Sequence, residues 1–246
     1  MQPDLDHFPR ETADMETASN GYAARFAGPV GAWILDVQAR TVRALLDPAP
    51  GLSVLEVGGG HGQLARPLAG AGRVYTVQGS DPVCAARIAD LVQAGRCRFV
   101  AGDNLALPFP DRAFDAVLCI RLLTHCERWE ALARELGRVA RRTVIVEYPL
   151  QVGLHRAAPL LFGLKKRAEG NTRRWRPFRP GEVAAVFAGL GFREEAVVRQ
   201  FFWPLVLHRL LKRRAWSERL EGLARRAGWT ARAGSPAISK MTRIGE

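Results

Sequence analysis

The chain has 246 residues, 48% of them hydrophobic, and a formal net charge of +12. That is enough chain to bury a sizeable core as one elaborated domain, and the composition excludes a disordered or collagen-like protein. The charge is uneven: residues 1–164 carry 17 Lys and Arg against 17 Asp and Glu, whereas 165–232 carry 17 against 6. The excess therefore belongs to one C-terminal stretch, and no stacking or groove-reading motif accompanies it, so no nucleic-acid partner is expected.

In chain order, MQPDLDHFPRETADMETASN is acidic and polar and reads as a mobile tail over 1–20. It lacks the apolar run of a signal peptide, and no later run approaches membrane-spanning length, so a cytoplasmic protein is expected. Residues 21–246 are read as a single domain. Its first helix carries Trp33, Ile34, Val37, Val42, Leu45 and Leu46 at helical spacing and ends at DPAPG. Strands at Ser53–Val57, Val74–Gln78, Arg98–Ala101, Phe114–Ile120 and Thr143–Tyr148 then alternate with helices over 61–70, 82–94 and 127–141. Such alternation predicts an α/β fold, a doubly wound parallel sheet with helices on both faces and ligands at the carboxyl ends of its strands.

Beyond Pro149, the stretch from 150 to 180 is rich in Arg, Pro and aromatics and too long for an ordinary loop. A helix in PGEVAAVFAGLGF and strands in REEAVVRQF and SPAISKMTRI follow. Between those strands, WPLVLHRLLKRRAW predicts an amphipathic basic helix, with Trp203, Val206, Leu207, Leu210 and Leu211 on one face and His208, Arg209, Lys212 and Arg213 on the other. A solvated cationic face is the plain reading of this stretch. Its alternative is a peripheral membrane contact through 203–216. The segments 150–180 and 201–235 are natural walls for a substrate pocket. Cys84, Cys97, Cys119 and Cys126 show no metal-ligand spacing and read as reduced core residues, with no metal implied.

The chemistry centres on VLEVGGGHGQL, Val54–Leu64. Glycine after a strand allows a sharp turn and close approach of a ligand to the backbone. GHGQLA also matches the loose dinucleotide pattern, but Glu56 opposes a pyrophosphate, by roughly 1 kcal/mol in water at 4 Å and more where solvent is excluded. A cationic ligand instead gains from that carboxylate. A dinucleotide-dependent oxidoreductase is thereby disfavoured.

With Glu56, Gly58, Gly60 and Gly62 in Glu-x-Gly-x-Gly-x-Gly, the chain resembles the class I S-adenosylmethionine-dependent methyltransferases. AGDNLALPFPDRAFDAVLC is similar to a run found in the broad subgroup that includes quinone-biosynthesis methyltransferases. The resemblance covers about residues 50–150. It implies a seven-stranded, mostly parallel Rossmann-like sheet with an antiparallel last strand, S-adenosyl-L-methionine as cofactor, and methyl transfer to a small-molecule or lipid-like acceptor. Glu56 would then serve the methionine end above the glycines, and Asp103, flanked by Asn104, would accept from the adenine amino group. Where the family has an acid for the ribose hydroxyls this chain has Gln78, with Asp81 three residues on. That departure leaves a non-catalytic or membrane-associated protein on a degenerate methyltransferase fold as the alternative function.

His125, after the fourth strand, is the candidate catalytic base, since an imidazole can take a proton near neutral pH. Packing against the cofactor or capping the next helix are its plain alternatives. Arg121, Glu147, Tyr148 and His155 are expected along the same sheet edge as pocket wall, while Tyr22 and Trp33 are placed to cover the cofactor, with core packing the default for Trp33.

Overall fold

A computed structural model describes residues 10–70, 72–157 and 175–245. Helices α1 (Ala13–Ala18), α2 (Asn20–Ala24) and α3 (Gly28–Leu45) lead into β1 (Ser53–Val57), α4 (Ala65–Leu68), β2 (Val74–Gly79), α5 (Ala89–Gln93), β3 (Arg98–Ala101) and β4 (Phe114–Cys119). The chain continues through α6 (Trp129–Val139), β5 (Ala140–Tyr148), α7 (Glu182–Gly189), β6 (Phe192–Arg199), α8 (Leu205–Leu211), α9 (Arg214–Arg226), α10 (Trp229–Ala233) and β7 (Ala237–Arg243).

The strands form one sheet in the order β3-β2-β1-β4-β5-β7-β6. β1 to β5 run parallel, and β7 lies antiparallel between β5 and β6. The expected doubly wound seven-stranded sheet is therefore the observed one. Its central strands β1 and β4 are buried on both sides because both faces are covered, whereas the edge strands β3 and β6 are largely exposed. One core joins Leu55, Val117, Val144 and Met241 to Leu132, Leu136 and Phe187. The other joins Val54, Tyr75, Leu118 and Ile145 to Val42, Leu68 and Ile88. Leu55 and Val54 point to opposite faces, as the period of two requires.

Three local expectations change. The segment read as a tail carries α1, whose Asp14 is buried. Residues 1–9 and 158–174, the latter within the expected insertion at 150–180, lie outside those described. The helices read over 61–70 and 82–94 are mixed. 3-10 turns at Gly59–His61 and Pro82–Ile88 precede the short α4 and α5, because left-handed Gly62 and the Asp81-Pro82 start each set a tighter turn first.

The single basic helix read over 203–216 is also corrected. It is two helices, α8 and α9, jointed at left-handed Lys212. Its buried residue is His208, while Val206 is 55% and Leu210 73% exposed. The reason is polar. Glu221 of α9 accepts from His208 Nε2 (3.0 Å) and from the Phe202 and Trp203 amides (both 3.0 Å), and with His208 drawn inward Val206 and Leu210 face outward.

Candidate functional site

The parallel strands bring five loops to one edge: the glycine loop after β1, and those after β2, β3, β4 and β5. β1 ends at Gly58, whose φ of 73° lies in the left-handed region and whose missing Cβ would stand 2.8 Å from Leu122 Cδ2. Gly60 is pressed equally closely, its virtual Cβ lying 2.9 Å from the Cys84 carbonyl and 3.0 Å from Ala18 Cβ. The glycines thus admit neighbouring protein, including α1, to the loop.

Glu56 is 2% exposed and accepts from the Tyr75 hydroxyl at 2.8 Å. Burial pushes its pKa up to about 8, against the opposing hydrogen bonds from Tyr75 and the Ala65 amide. Glu56 is therefore a carboxyl that a positive charge would ionise.

Gln78, at the end of β2, is fully buried and donates from Nε2 to the Gly102 carbonyl at 3.0 Å, leaving its Oε1 unpaired. Asn104 is also fully buried, with Nδ2 given to the Glu11 carbonyl (2.9 Å) and Asp14 Oδ1 (3.2 Å) and its Oδ1 unpaired. Ser80 Oγ and both ring nitrogens of His61 are unpaired too. Burial, with the charges of Arg121 and Arg87, lowers the His61 pKa to about 4, so its ring is neutral at pH 7. Asp103 behaves differently from its neighbour. It is half-buried, and its Oδ1 caps the Leu105 amide at 2.8 Å, ordinary turn chemistry that leaves the second oxygen for another partner.

Glu56, Gly58, Gly60, Gly62, Gln78 and Asn104 thus gather at the ends of β1 to β3, with Asp103 at their rim. His125 stands elsewhere. It ends the 3-10 turn Leu123–His125 and lines a cavity of about 570 Å³ beside β4 and β5. Tyr22, Phe26, Ile34, Phe201 and Leu205 supply apolar wall; Gln38, Arg121, Glu147 and His155 supply polar groups.

Arg121, itself left-handed at φ 64°, lies 4.0 Å over the Phe26 ring with Nη1 unpaired, and Arg209 covers the same ring at 5.3 Å. Burial raises the Glu147 pKa; the Arg121 charge and a Gln38 hydrogen bond oppose it. His155 is held by the Phe201 and Phe202 carbonyls and its pKa is lowered by burial. Trp33 stays with the packing default, edge-on to Phe201 and His208.

Sequence reasoning missed three residues that tie the site together. Gln63, next to the glycine loop, donates to Gln38 Oε1 at 2.7 Å, and Gln38 donates to Glu147 Oε1 at 2.6 Å. Gln38 had a readable signal, since it lies four residues from both Ile34 and Val42 on an apolar stripe. Asp14 had none. It is fully buried and accepts from the Ser80 amide at 2.6 Å and from Asn104.

S-adenosylmethionine offers an ammonium, two ribose hydroxyls and an amino group. The uncompensated carboxyl of Glu56 and the unpaired oxygens of Gln78 and Asn104 are acceptors for such donors, so the residue chemistry fits this cofactor.

The fold is that of the class I methyltransferases. Residues 55–146 match the methyltransferase domain family, and the resemblance read from the sequence is borne out, although nothing singles out the quinone-biosynthesis subgroup. Among curated relatives, a fatty-acid O-methyltransferase of Mycolicibacterium smegmatis is 40% identical over 99 residues, 37% of this chain and 34% of that protein. An uncharacterized methyltransferase of Mycobacterium avium is 35% identical over 95 residues, 39% of this chain and 38% of that one. The matched segment is thus little more than a third of either relative. Magnesium protoporphyrin IX methyltransferase from Synechocystis, crystallised with S-adenosylhomocysteine, superposes with a TM-score of 0.60 at 18% identity over 92% of this chain and 95% of its own. At that identity the likeness speaks for the fold.

Proposed function

We propose that the chain transfers the methyl group of S-adenosylmethionine to a small or lipid-like acceptor and releases S-adenosylhomocysteine. The observation that carries this reading is a shared wall. The hydrogen-bonded run Gln63–Gln38–Glu147 joins the acidic glycine loop to the cavity. A bound sulfonium supplies an electrophilic methyl group, so the protein's task is alignment and exclusion of water. Glu56 would meet the ammonium, Gln78 the ribose, and Asp103 with Asn104 the adenine. His125 would take a proton from an acceptor that carries one, while Phe26, Ile34 and Phe201 keep water from the reacting atoms.

The lipid-like alternative for the acceptor draws on the apolar walls and on the relative named for fatty-acid O-methylation. At the cavity's outer edge, Val206 and Leu210 stand exposed on α8 next to Arg209, Lys212 and Arg213. A peripheral bilayer contact through 203–216 is consistent with that face. No helix among the described residues is long and apolar enough to cross a membrane.

Two observations favour the non-catalytic alternative: α1 lies against the glycine loop, and Gln78 stands in place of an acid. Calorimetric titration with S-adenosylmethionine and S-adenosylhomocysteine decides between them. Binding in the micromolar range is expected, lost by about tenfold or more in the Glu56→Ala, Asp103→Ala double variant. No binding at about millimolar ligand ends the enzyme reading.

A further inference from the structure

A ligand cannot stand where protein already does, and at the ends of β1 to β3 the described protein fills the space. Gln78 and Asn104 are fully buried and Glu56 nearly so, leaving no water-sized gap beside them. What fills the site is the N-terminal segment. Asp14 takes the Ser80 amide after β2 and the Asn104 side chain after β3. Ala18 presses on Gly60. Arg10 donates to the Ser80 carbonyl at 3.2 Å. Further out, the Glu11 carboxylate accepts from the Glu127 and Arg128 amides at 3.1 and 3.0 Å, and Arg87 holds Asn20 Oδ1 at 2.9 Å.

We infer that residues 10–20 are an internal competitor for the nucleoside end of the cofactor site, with the Asp14 carboxylate standing on the Ser80 amide and the Asn104 side chain where the ligand would lie. The inference rests on the cofactor reading above. Two features make the segment displaceable rather than permanent. It covers polar atoms without pairing them: Ser80 Oγ and Asn104 Oδ1, on the two residues it holds, are buried and unbonded. A ligand bearing hydroxyl and amino donors would satisfy these two oxygens, so the exchange restores hydrogen bonds that the closed form lacks. Moreover, the segment is held chiefly by polar contacts, the buried Asp14 among them, and residues 10–20 contribute no large side chain to the two cores that flank the sheet. Such a segment opens locally without unfolding the domain.

This is the reverse of a lid that closes over its ligand, and hydrogen exchange distinguishes the two. On adding saturating S-adenosylhomocysteine to the full chain, amides of 10–20 are expected to exchange faster while those of Gly58–Gly62 become protected. Protection of 10–20 would instead mean closure over the ligand and would overturn the proposal.

Affinity supplies an independent reading. Asp14→Ala, which frees the Ser80 and Asn104 donors, and Glu11→Ala, which cuts a latch outside the cofactor loops, should each bind S-adenosylhomocysteine about fivefold more tightly than the parent. Weaker or unchanged binding in both variants contradicts competition. Should the parent itself fail to bind, the cofactor reading fails with it. A parent that binds, with variants that do not gain, removes the competitor alone. Circular dichroism and thermal melting of both variants confirm that the domain is folded, and Glu11→Ala keeps the question open to measurement if Asp14→Ala is not.

Discussion

The two halves of the sheet's carboxyl edge are built in opposite ways. Over β1 to β3 the residues that fit a cofactor are buried beneath α1, with polar atoms left unpaired. Over β4 and β5 a cavity of about 570 Å³ stands ready, walled by rings and floored by charge. The difference teaches that a site's chemistry and its accessibility are separate properties of a sequence. Donor and acceptor types are set by residues on the strands, whereas access is set by a segment elsewhere in the chain.

The comparison breaks most visibly at the glycine loop. Gly58→Ala puts a side chain on a left-handed residue and drives its Cβ against Leu122, so a loss of about 2 kcal/mol in unfolding free energy is expected by denaturant titration. A neutral result would mean that the loop is loose, not pressed between neighbours.

Next comes Glu56. Its folded pKa of about 8 lies above the ordinary 4.5, so below 4.5 both states are protonated, and as pH rises towards 8 only the unfolded state gains by ionising. Stability therefore falls across that window. Glu56→Gln is expected to leave stability unchanged at pH 4 and to raise it by about 1 kcal/mol or more at pH 8 without ligand. Equal melting temperatures for parent and variant at pH 8 would refute the buried, uncompensated carboxyl.

On the open side, His125→Ala should lower turnover about tenfold for an acceptor that carries a proton, while S-adenosylhomocysteine binding stays within about twofold. Lost binding instead would place His125 with the cofactor and blur the division between the halves. The smallest effect is expected at the cavity's outer face. Leu210→Glu should weaken co-sedimentation with anionic phosphatidylglycerol vesicles by about fivefold, and identical sedimentation of parent and variant would leave that face merely solvated.

Much of the fold was legible because its signals are local. Apolar runs such as Ser53–Val57 and Phe114–Cys119 mark strands wherever they pack, and the glycines after Glu56 mark a tight turn. Helix type was less so, since 3-10 turns and α-helix share an apolar period over four or five residues. The acceptor set of Glu56, Gln78 and Asn104 was readable from position at the strand ends. Occlusion by Asp14 was not, because burial of one acid in a polar stretch depends on contacts 66 and 90 residues away. For α8 the spacing marked an apolar and a basic face, but not that His208 of the basic face would be the residue buried. Periodicity locates a face but not what it meets, and here the deciding group was Glu221 on the next helix.

Glu221 has a further consequence. Its carboxylate gathers Phe202, Trp203 and His208, and so fixes the path of the chain that carries Phe201, Leu205 and Arg209 into the cavity. The bore of the cavity is thus set from behind, by a residue that does not line it. Changes around that anchor would re-gauge the cavity for larger or smaller guests while every lining side chain kept its identity, a route by which selectivity can drift with the apparent binding residues untouched.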